Sequence, residues 1–330
     1  MNAIKNKIKH VSGIMWASLL LVVVMYIFVP NFSQPRNFDN ILKNSAVLII
    51  VSIGMTMAIL SSQIDLSIGG VMSASAMISA MYLGQFDEPT AAQMIITFGI
   101  GMLVGVCFGI INGILIGKFK YNYWLVTFAT MSMGYGLAQI VTNGNIIAGF
   151  SKTFRNIADG KVFGGISSVV IIALLIVVIM YIVLSRSRFG MHAYAVGDSE
   201  QCASQSGINV TKIRMLIYVI SGVLAGLGGV LLVSKTNSAN TTIGNGYEFD
   251  AIAAVIIGGT PFDGGKGGLI GTVVGALVIQ AFKSGLQLMG VSTYWQQTLV
   301  GLFILLIIIF DVIGENRKNI KKTRRVYKNA

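Results

Sequence analysis

The chain has 330 residues, of which 54% are hydrophobic and only 11% are charged, and its mean hydropathy is +0.77. Because a soluble domain carries roughly a quarter charged residues, this composition excludes an ordinary soluble enzyme. The net charge of +12 is concentrated at the two ends of the chain, as topology signals at a membrane surface are. We therefore expect no nucleic-acid partner.

Ten apolar runs predict the fold class, an all-α polytopic membrane protein of about ten transmembrane helices, one or two of them broken or short. Most runs approach the ~20 residues that cross a bilayer as a helix, and the eighth is too short to span unaided. We expect a single transmembrane domain over residues 1–330. The runs are Gly13–Val29, Ser45–Leu60, Ile68–Leu83, Ala91–Ile116, Trp124–Val141, Ile166–Leu184, Leu216–Val233, Ala251–Gly259, Leu269–Met289 and Trp295–Val312.

The positive charges predict the orientation of the chain. With the N-terminus in the cytoplasm, 17 of the 24 Lys and Arg residues fall on the cytoplasmic side and six fall outside. The positive-inside rule favours this arrangement, which puts both termini, the loop 186–214 and the basic tail 314–330 in the cytoplasm. The remaining cation, Lys283, lies within the ninth run, and we expect it to extend toward the outer face.

The cytoplasmic loop contains the longest polar interruption, Ala193–Val210, and it predicts a short helix. Asp198 or Ser199 can act as the N-cap, and Gly207 suits the left-handed position that ends a helix. One face would carry only small side chains, because these recur at helical spacing. A helix of about two turns needs a surface to pack on, so both a partner and the protein itself are open alternatives. The small residues are Ser199, Cys202, Ala203 and Ser206.

Two segments between apolar runs share the pattern Asp-x-x-x-Gly-Gly. They are 65–70 and 263–268, and they predict helix breaks at Asp65, Ser67, Gly69, Asp263 and Gly265. An internal repeat, as many transporters have, and chance similarity in a chain with 39 glycines both remain open.

A stripe of glycines in the fourth run predicts close helix packing. Small residues at spacing four let helix backbones approach in a membrane. Because that spacing advances about 40° per step, we expect the stripe to meet more than one neighbouring helix. The glycines are Gly101, Gly105, Gly109, Gly113 and Gly117.

No set of residues in the sequence predicts catalysis or a metal site. Residues 260–267 are similar to a phosphate loop, but Thr260 replaces its first glycine and Gly267 replaces the Ser or Thr that holds magnesium. The only histidines, His10 and His192, cannot be placed in a triad or a metal site. We expect no ATP bound by this loop and no cofactor bound by the chain.

Neutral polar residues on the apolar runs predict the kind of cargo. Because intramembrane charge is sparse, a proton-driven carrier is disfavoured, whereas amides and hydroxyls suit an uncharged, hydroxyl-rich molecule. For most single residues, hydrogen bonding between helices is the simpler explanation. The candidate path residues are Asn112, Thr130, Tyr135, Asn237, Asn240 and Gln280.

Several stretches resemble the permease subunits of bacterial ABC importers for simple sugars of the ribose, galactose and xylose type. The resemblance covers almost the whole chain. Members usually have Gly-Gly before Ile-Asp-Leu-Ser, where this chain has Ser62 and Gln63. The stretches that carry it are Gly54–Leu60, Ile64–Gly69, Ser187–Gly190, Tyr194–Gly197, Ser206–Val210 and Gly246–Thr260.

The resemblance implies a multi-pass subunit of the bacterial inner membrane that imports a neutral monosaccharide and is not itself an enzyme. Its implied partners are a second permease, in a homodimer or heterodimer, two cytoplasmic ATPase subunits or one tandem ATPase, and an extracytoplasmic sugar-binding protein. ATP and Mg would be bound by the ATPase. The residues implied to couple to it are Gly197, Asp198, Ser199, Glu200, Cys202, Ala203, Ser206 and Gly207.

Two other function classes stay open at this point. An ion-coupled secondary sugar transporter shares the repeated helical design, and a membrane-embedded enzyme or scaffold is disfavoured by the missing catalytic residues. The sequence does not name the sugar, because pentoses, hexoses and polyols all suit a neutral path.

Overall fold

A computed structural model of the chain describes residues 13–162, 165–292, 294–303, 305, 306 and 309. The basic tail 314–330 and the first lysines lie outside these residues. The helices are α1 (Gly13–Phe28), α2 (Pro35–Leu60), α3 (Ile68–Leu83), α4 (Ala91–Gly113), α5 (Tyr123–Thr142), α6 (Lys152–Asp159), α7 (Ser168–Arg186), α8 (Arg188–Asp198), α9 (Glu200–Gln205), α10 (Val210–Thr236), α11 (Tyr247–Ile257) and α12 (Leu269–Leu288).

Short non-helical elements connect these helices. Helix α4 continues into one π-helical turn, Ile114–Lys118, and residues 294–303 are also helical. Two antiparallel strand pairs close the loops: β1 (Ile147–Ala148) pairs with β4 (Ser238–Ala239), and β2 (Lys161–Val162) pairs with β3 (Ile166–Ser167). The structure is thus helical with only two-residue strands.

Six helices of the described residues are long and apolar enough to cross a membrane: α2, α4 with its π turn, α5, α7, α10 and α12. Helices α1 and α3 are apolar but shorter, and α11 has only 11 residues. The predicted count of about ten is therefore not confirmed. Most predicted runs correspond to a helix, and the second begins ten residues earlier than expected, at Pro35.

Burial divides the helices into a centre and a periphery. The apolar windows of α2 and α10 are 83% and 72% buried, whereas those of α4 and α7 are 28% and 22% buried. Because lipid tails solvate apolar side chains, α4 and α7 expose the faces that a bilayer would cover. Helices α2 and α10 form the core of the structure.

The glycine stripe of α4 packs along α10. A Cβ at Gly105 would lie 2.0 Å from the Gly222 carbonyl oxygen, and one at Gly109 would lie 2.5 Å from that of Tyr218. Gly101 and Gly117 likewise face backbone carbonyls of α10. A Cβ at Gly101 would also lie 3.1 Å from the Ser79 hydroxyl oxygen of α3. The stripe therefore meets a second helix at this end, as expected, although α10 is its main neighbour.

Helices α2, α11 and α12 pack side by side and are joined near both ends. Thr56 of α2 and Thr272 of α12 share a hydroxyl hydrogen bond of 2.8 Å. Farther along the two helices, 19 residues away on α2 and 12 on α12, the Ser284 hydroxyl donates to Asn37 at 2.5 Å. At 1.5 Å per residue, the two ties are separated by about 18–28 Å. This three-helix layer links the two ends of the structure.

Candidate functional site

The predicted coupling segment folds as two helices joined at Ser199. Helix α8 runs to Asp198, and the Ser199 hydroxyl accepts a hydrogen bond from the Cys202 N–H at 3.2 Å, capping α9. Of the two N-caps that the sequence allows, the structure uses Ser199. Gly207 has a φ of +81°, in the left-handed region that ends a helix. The helix before Asp198 was not predicted.

The short helix α9 presents most of its side chains to the outside. Asp198, Cys202, Ser206 and Gly207 are exposed. Ala203 is only 4% exposed and belongs to the hydrophobic core. The predicted small-residue face is thus split, since Ala203 packs on the protein itself.

Glu200 is held against the following helix. Its carboxylate accepts a hydrogen bond from the Arg214 guanidinium of α10 at 2.7 Å. The Glu200 side chain of this pair is still 42% exposed, and ion pairs that solvent reaches contribute at most about 1 kcal/mol. The pair therefore orients α9 against α10 more than it stabilises the fold.

The C-terminal end of α8 meets the end of α2 and the second predicted helix break at one point, here called the three-segment junction (residues 60–62, 194–198 and 263–267). The Ser62 hydroxyl lies 2.9 Å from the Gly197 carbonyl oxygen and 2.6 Å from that of Asp263. The Gly265 N–H donates to the Leu60 carbonyl at 3.0 Å. Three segments far apart in sequence therefore share one hydrogen-bonded contact.

Close backbone approach makes the junction specific for glycine. A Cβ at Gly197 would lie 1.8 Å from the Leu60 carbonyl oxygen and 2.7 Å from the Gly265 nitrogen. Gly265 itself has a φ of +67° and faces the Asp198 backbone. Such distances are below van der Waals contact, so a side chain at Gly197 requires backbone movement.

Tyr194 makes a second hydrogen-bonded contact between α8 and the segment 263–267. Its hydroxyl donates to the Gly267 carbonyl at 2.9 Å. Burial raises the pKa of the Tyr194 phenol, so the hydroxyl keeps the proton that this hydrogen bond needs.

Ser62 stands where similar permeases have glycine, and its backbone explains that preference. Its φ is +59°, in the left-handed region that costs a non-glycine residue roughly 1–2 kcal/mol. A glycine would relieve this cost but could not reach Gly197 and Asp263. The sequence departure was the one signal that pointed to this residue.

The two Asp-x-x-x-Gly-Gly segments have different side-chain roles. Asp65 is 2% exposed and accepts hydrogen bonds from the Ser67 N–H at 3.0 Å and the Ser221 hydroxyl at 2.7 Å. Asp263 is exposed and offers its backbone carbonyl to Ser62. Residues 65–67 and 263–268 lie between helices, whereas Gly69 belongs to α3 and does not break a helix as predicted. The structure does not give the two aspartates equivalent positions.

Two predicted path residues, Asn112 and Thr130, extend the hydrogen bonds of Asp65 and Ser67. Asn112 donates from its amide to the Ser67 hydroxyl at 2.9 Å and accepts from the Thr130 hydroxyl at 2.9 Å. Both Asn112 and Thr130 are at most 2% exposed. They therefore connect α4, α5 and the first helix break by hydrogen bonds, and they do not line an open path.

Because Gly69 has no side chain, two buried side-chain oxygens can lie close to its backbone. A Cβ there would lie 2.1 Å from the Glu248 Oε2 atom and 2.6 Å from the Tyr135 hydroxyl. Both oxygens are buried without a hydrogen-bond partner among the described residues. Tyr135 thus lies beside the N-terminus of α11, and Glu248 is a neighbour that the sequence did not identify as part of the site.

Asn237 and Asn240 shape the turn after α10. Asn237 has a φ of +55° and ends α10, and its carbonyl accepts from the Gly149 N–H at 3.3 Å. The Asn240 side chain accepts from the Thr242 N–H at 3.0 Å. Both predicted path residues have a local structural role in this turn.

Gln280 lines a polar cavity at the end of the three-helix layer opposite the junction. The cavity measures about 240 Å³ and lies between α2, α11, α12 and residue 296. Lys283 forms an ion pair with Asp250 of α11 at its wall. Lys283 was expected to extend toward the outer face, and the structure instead gives its ammonium a carboxylate partner.

Comparison with known proteins supports a transport subunit. The family of the permease component of a branched-chain amino acid transport system matches residues 37–308. The chain is 37% identical over 294 residues to the ribose import permease protein of Bacillus subtilis, covering 88% of this chain and 89% of that protein.

Two relatives of Escherichia coli show the same likeness. The chain is 32% identical to the galactose/methyl galactoside import permease protein, covering 93% of this chain and 95% of the other. It is 35% identical to the D-allose transport system permease protein, covering 85% and 84%. No solved structure matches the chain. The chain therefore belongs to this family of transport-system permease components, which makes it a multi-pass membrane protein.

Proposed function

We propose that the chain is the permease subunit of an ATP-driven, binding-protein-dependent importer of a neutral monosaccharide. The names of its relatives support this, since they import ribose, galactose or allose. The family description names branched-chain amino acids, whereas the relatives that match most of the chain are named as sugar permeases. The alternative of an ion-coupled secondary transporter gains no support from the relatives.

The three-segment junction is the observation that carries the coupling role. Helix α8 is bonded to Ser62 at the end of α2 through the Gly197 carbonyl, and to the segment before α12 through the Tyr194 hydroxyl and Gly267. A push on the exposed surface of α8 and α9 would thereby reach the end of α2 and the segment that precedes α12. ATP-driven closure of a partner could shift the helices in this way between two arrangements.

The assembly that follows has several chains. Two permeases, identical or different, would form the path, and two ATPase subunits or one tandem ATPase would dock on α8 and α9. An extracytoplasmic sugar-binding protein would deliver the cargo, and ATP with Mg would be held by the ATPase. Both termini and the loop 186–214 would lie in the cytoplasm. The helices α1, α3 and α11 and the predicted run Trp295–Val312 would complete about ten membrane passages.

Reconstitution tests the proposal. The permease, its ATPase and its sugar-binding protein are placed in proteoliposomes, and uptake of ribose, galactose, allose and leucine is measured with and without ATP. We expect uptake of at least one sugar that requires ATP and continues when ionophores remove ion gradients. Uptake that survives without ATP and stops with ionophores would contradict the proposal, and so would ATP-dependent uptake of leucine alone.

A further inference from the structure

The polar cavity beside Lys283 has the chemistry of a binding site for hydroxyl groups. Five of its nine lining residues are Asn or Gln. An amide offers both donors and acceptors, which matches a sugar hydroxyl that donates and accepts. Binding sites usually place a small number of polar groups in a concave surface; here polar groups make up nearly the whole lining.

Three of these amides are not used by the fold. The side chains of Asn245, Gln280 and Gln287 make no hydrogen bond to any described residue. Gln280 is only 8% exposed. Asn245 and Gln287 are exposed, and the polar atoms of Gln280 also reach the cavity. Waters that pair with such amides can be replaced by ligand hydroxyl groups, so the three amides are available to a molecule inside the cavity.

The charges of the cavity compensate each other. Asp250 and Lys283 form an ion pair, and no other charged residue lines the cavity among the described residues. A charged cargo would have to break this pair or remain uncompensated, whereas a neutral molecule can hydrogen-bond to both members. The lining contains no aliphatic side chain, so a branched-chain amino acid would find no apolar surface.

The size of the cavity suits a small molecule. Its volume of about 240 Å³ is below the roughly 300–1,000 Å³ of pockets for drug-sized ligands. Among the described lining residues, Tyr247 provides an aromatic wall.

The position of the cavity connects it to the three-segment junction. Helix α2 carries Asn44 at the cavity and Leu60 at the junction, about 24 Å apart along the helix. Helix α12 begins next to Gly267 and carries Gln280 and Lys283 at the cavity. A shift of these rigid helices at one end therefore changes the cavity at the other.

Resting on the proposed function, we propose that this cavity is a transient binding site for one neutral monosaccharide inside the permease, with Gln280 and Gln287 as direct ligands of its hydroxyl groups. The site would take the sugar after the binding protein releases it. A shift of the three-helix layer, driven through the junction, would then expel it.

The test compares amide removal at the cavity with amide removal elsewhere. Gln280→Met and Gln287→Met replace an amide by a thioether of similar length. Gln139→Met makes the same change at an exposed position of α5 that does not line the cavity. Each variant is assembled with its ATPase and binding protein in proteoliposomes, and ATP-dependent uptake of ribose, galactose and allose is measured.

We expect each cavity variant to lower uptake of the transported sugar about tenfold, which corresponds to about 1.4 kcal/mol. We also expect a change of at least about threefold (0.65 kcal/mol) in the ratio of uptake between the sugars. A general loss of folding would lower all sugars equally and reduce copurification with the ATPase. Because Gln287 is exposed, we expect Gln287→Met to fold normally. It can therefore test the site even if Gln280→Met does not fold.

The remaining outcomes separate the two proposals. If the wild-type importer takes up a sugar with ATP and both cavity variants match Gln139→Met in rate and ratio, the cavity site is refuted and the proposed function stands. If the wild type shows no ATP-dependent sugar uptake, both proposals fail.

Discussion

Replacing Gly197 by alanine tests the three-segment junction most severely. The added Cβ would lie 1.8 Å from the Leu60 carbonyl oxygen. It must move away by about 1.2 Å to reach the 3.0 Å that real Cβ atoms keep. The obstacle is backbone on both sides, so no side-chain rotation can relieve the clash.

The expected destabilisation follows from the contacts that this movement breaks. Overpacking in a close-packed region costs roughly 1–3 kcal/mol. The hydrogen bonds from Gly265 to Leu60 and from Ser62 to Gly197 contribute about 0.5–1.5 kcal/mol each. Alanine's better helix propensity offsets roughly 0.5–1 kcal/mol of this loss in stability. We expect a net loss of about 2–4 kcal/mol and a loss of ATP-dependent uptake.

Gly136→Ala is the matched control, since a Cβ there meets no atom within 4 Å. The assays are the thermal unfolding midpoint of the purified permease in detergent and ATP-dependent uptake by the assembled importer. Gly136→Ala should leave both unchanged or slightly raise the midpoint. If Gly197→Ala behaves like Gly136→Ala in both assays, the three segments do not meet as described.

Two further predictions concern single hydroxyl groups. Ser62→Gly relieves the left-handed φ while Ser62→Ala keeps it, and both lose the hydroxyl. The alanine variant should therefore be less stable than the glycine variant by roughly 1–2 kcal/mol, and equal unfolding midpoints would contradict the backbone explanation. Thr130→Val leaves the Asn112 carbonyl oxygen without its donor and should lower stability by about 1 kcal/mol. Thr142→Val removes only a hydroxyl that bonds to its own helix, so an equal loss in both variants would count against the network.

Local features of the structure could be predicted from the sequence. Apolar runs located most of the helices, and the polar Asp-x-x-x-Gly-Gly segments lie at or beside both breaks, although Gly69 is helical. These properties depend on neighbouring residues. Ser199 and Gly207 were placed at the ends of a short helix for the same reason. The helix Arg188–Asp198 was missed, since its polar and small residues show no apolar run.

Contacts across long sequence separations could not be predicted. Ser62 meets Gly197 and Asp263 over 135 and 201 residues, and no local pattern specifies which loops come together. The Lys283–Asp250 pair was missed because each charge was considered alone in its apolar surroundings. Asn112 and Thr130 were predicted to line the path and are instead hydrogen-bonded to each other, which depends on how α4 and α5 pack.

The exposed thiol of Cys202 gives the most direct test of the central claim that α8 and α9 form the docking surface for an ATPase. The chain has only one other cysteine, Cys107 on α4, and Cys107→Ser leaves a single thiol. A membrane-impermeant maleimide should label Cys202 in inside-out vesicles but not in intact cells, and the bound ATPase should slow this labelling at least tenfold. Labelling from the outside, or labelling at the same rate with and without the ATPase, would contradict the account.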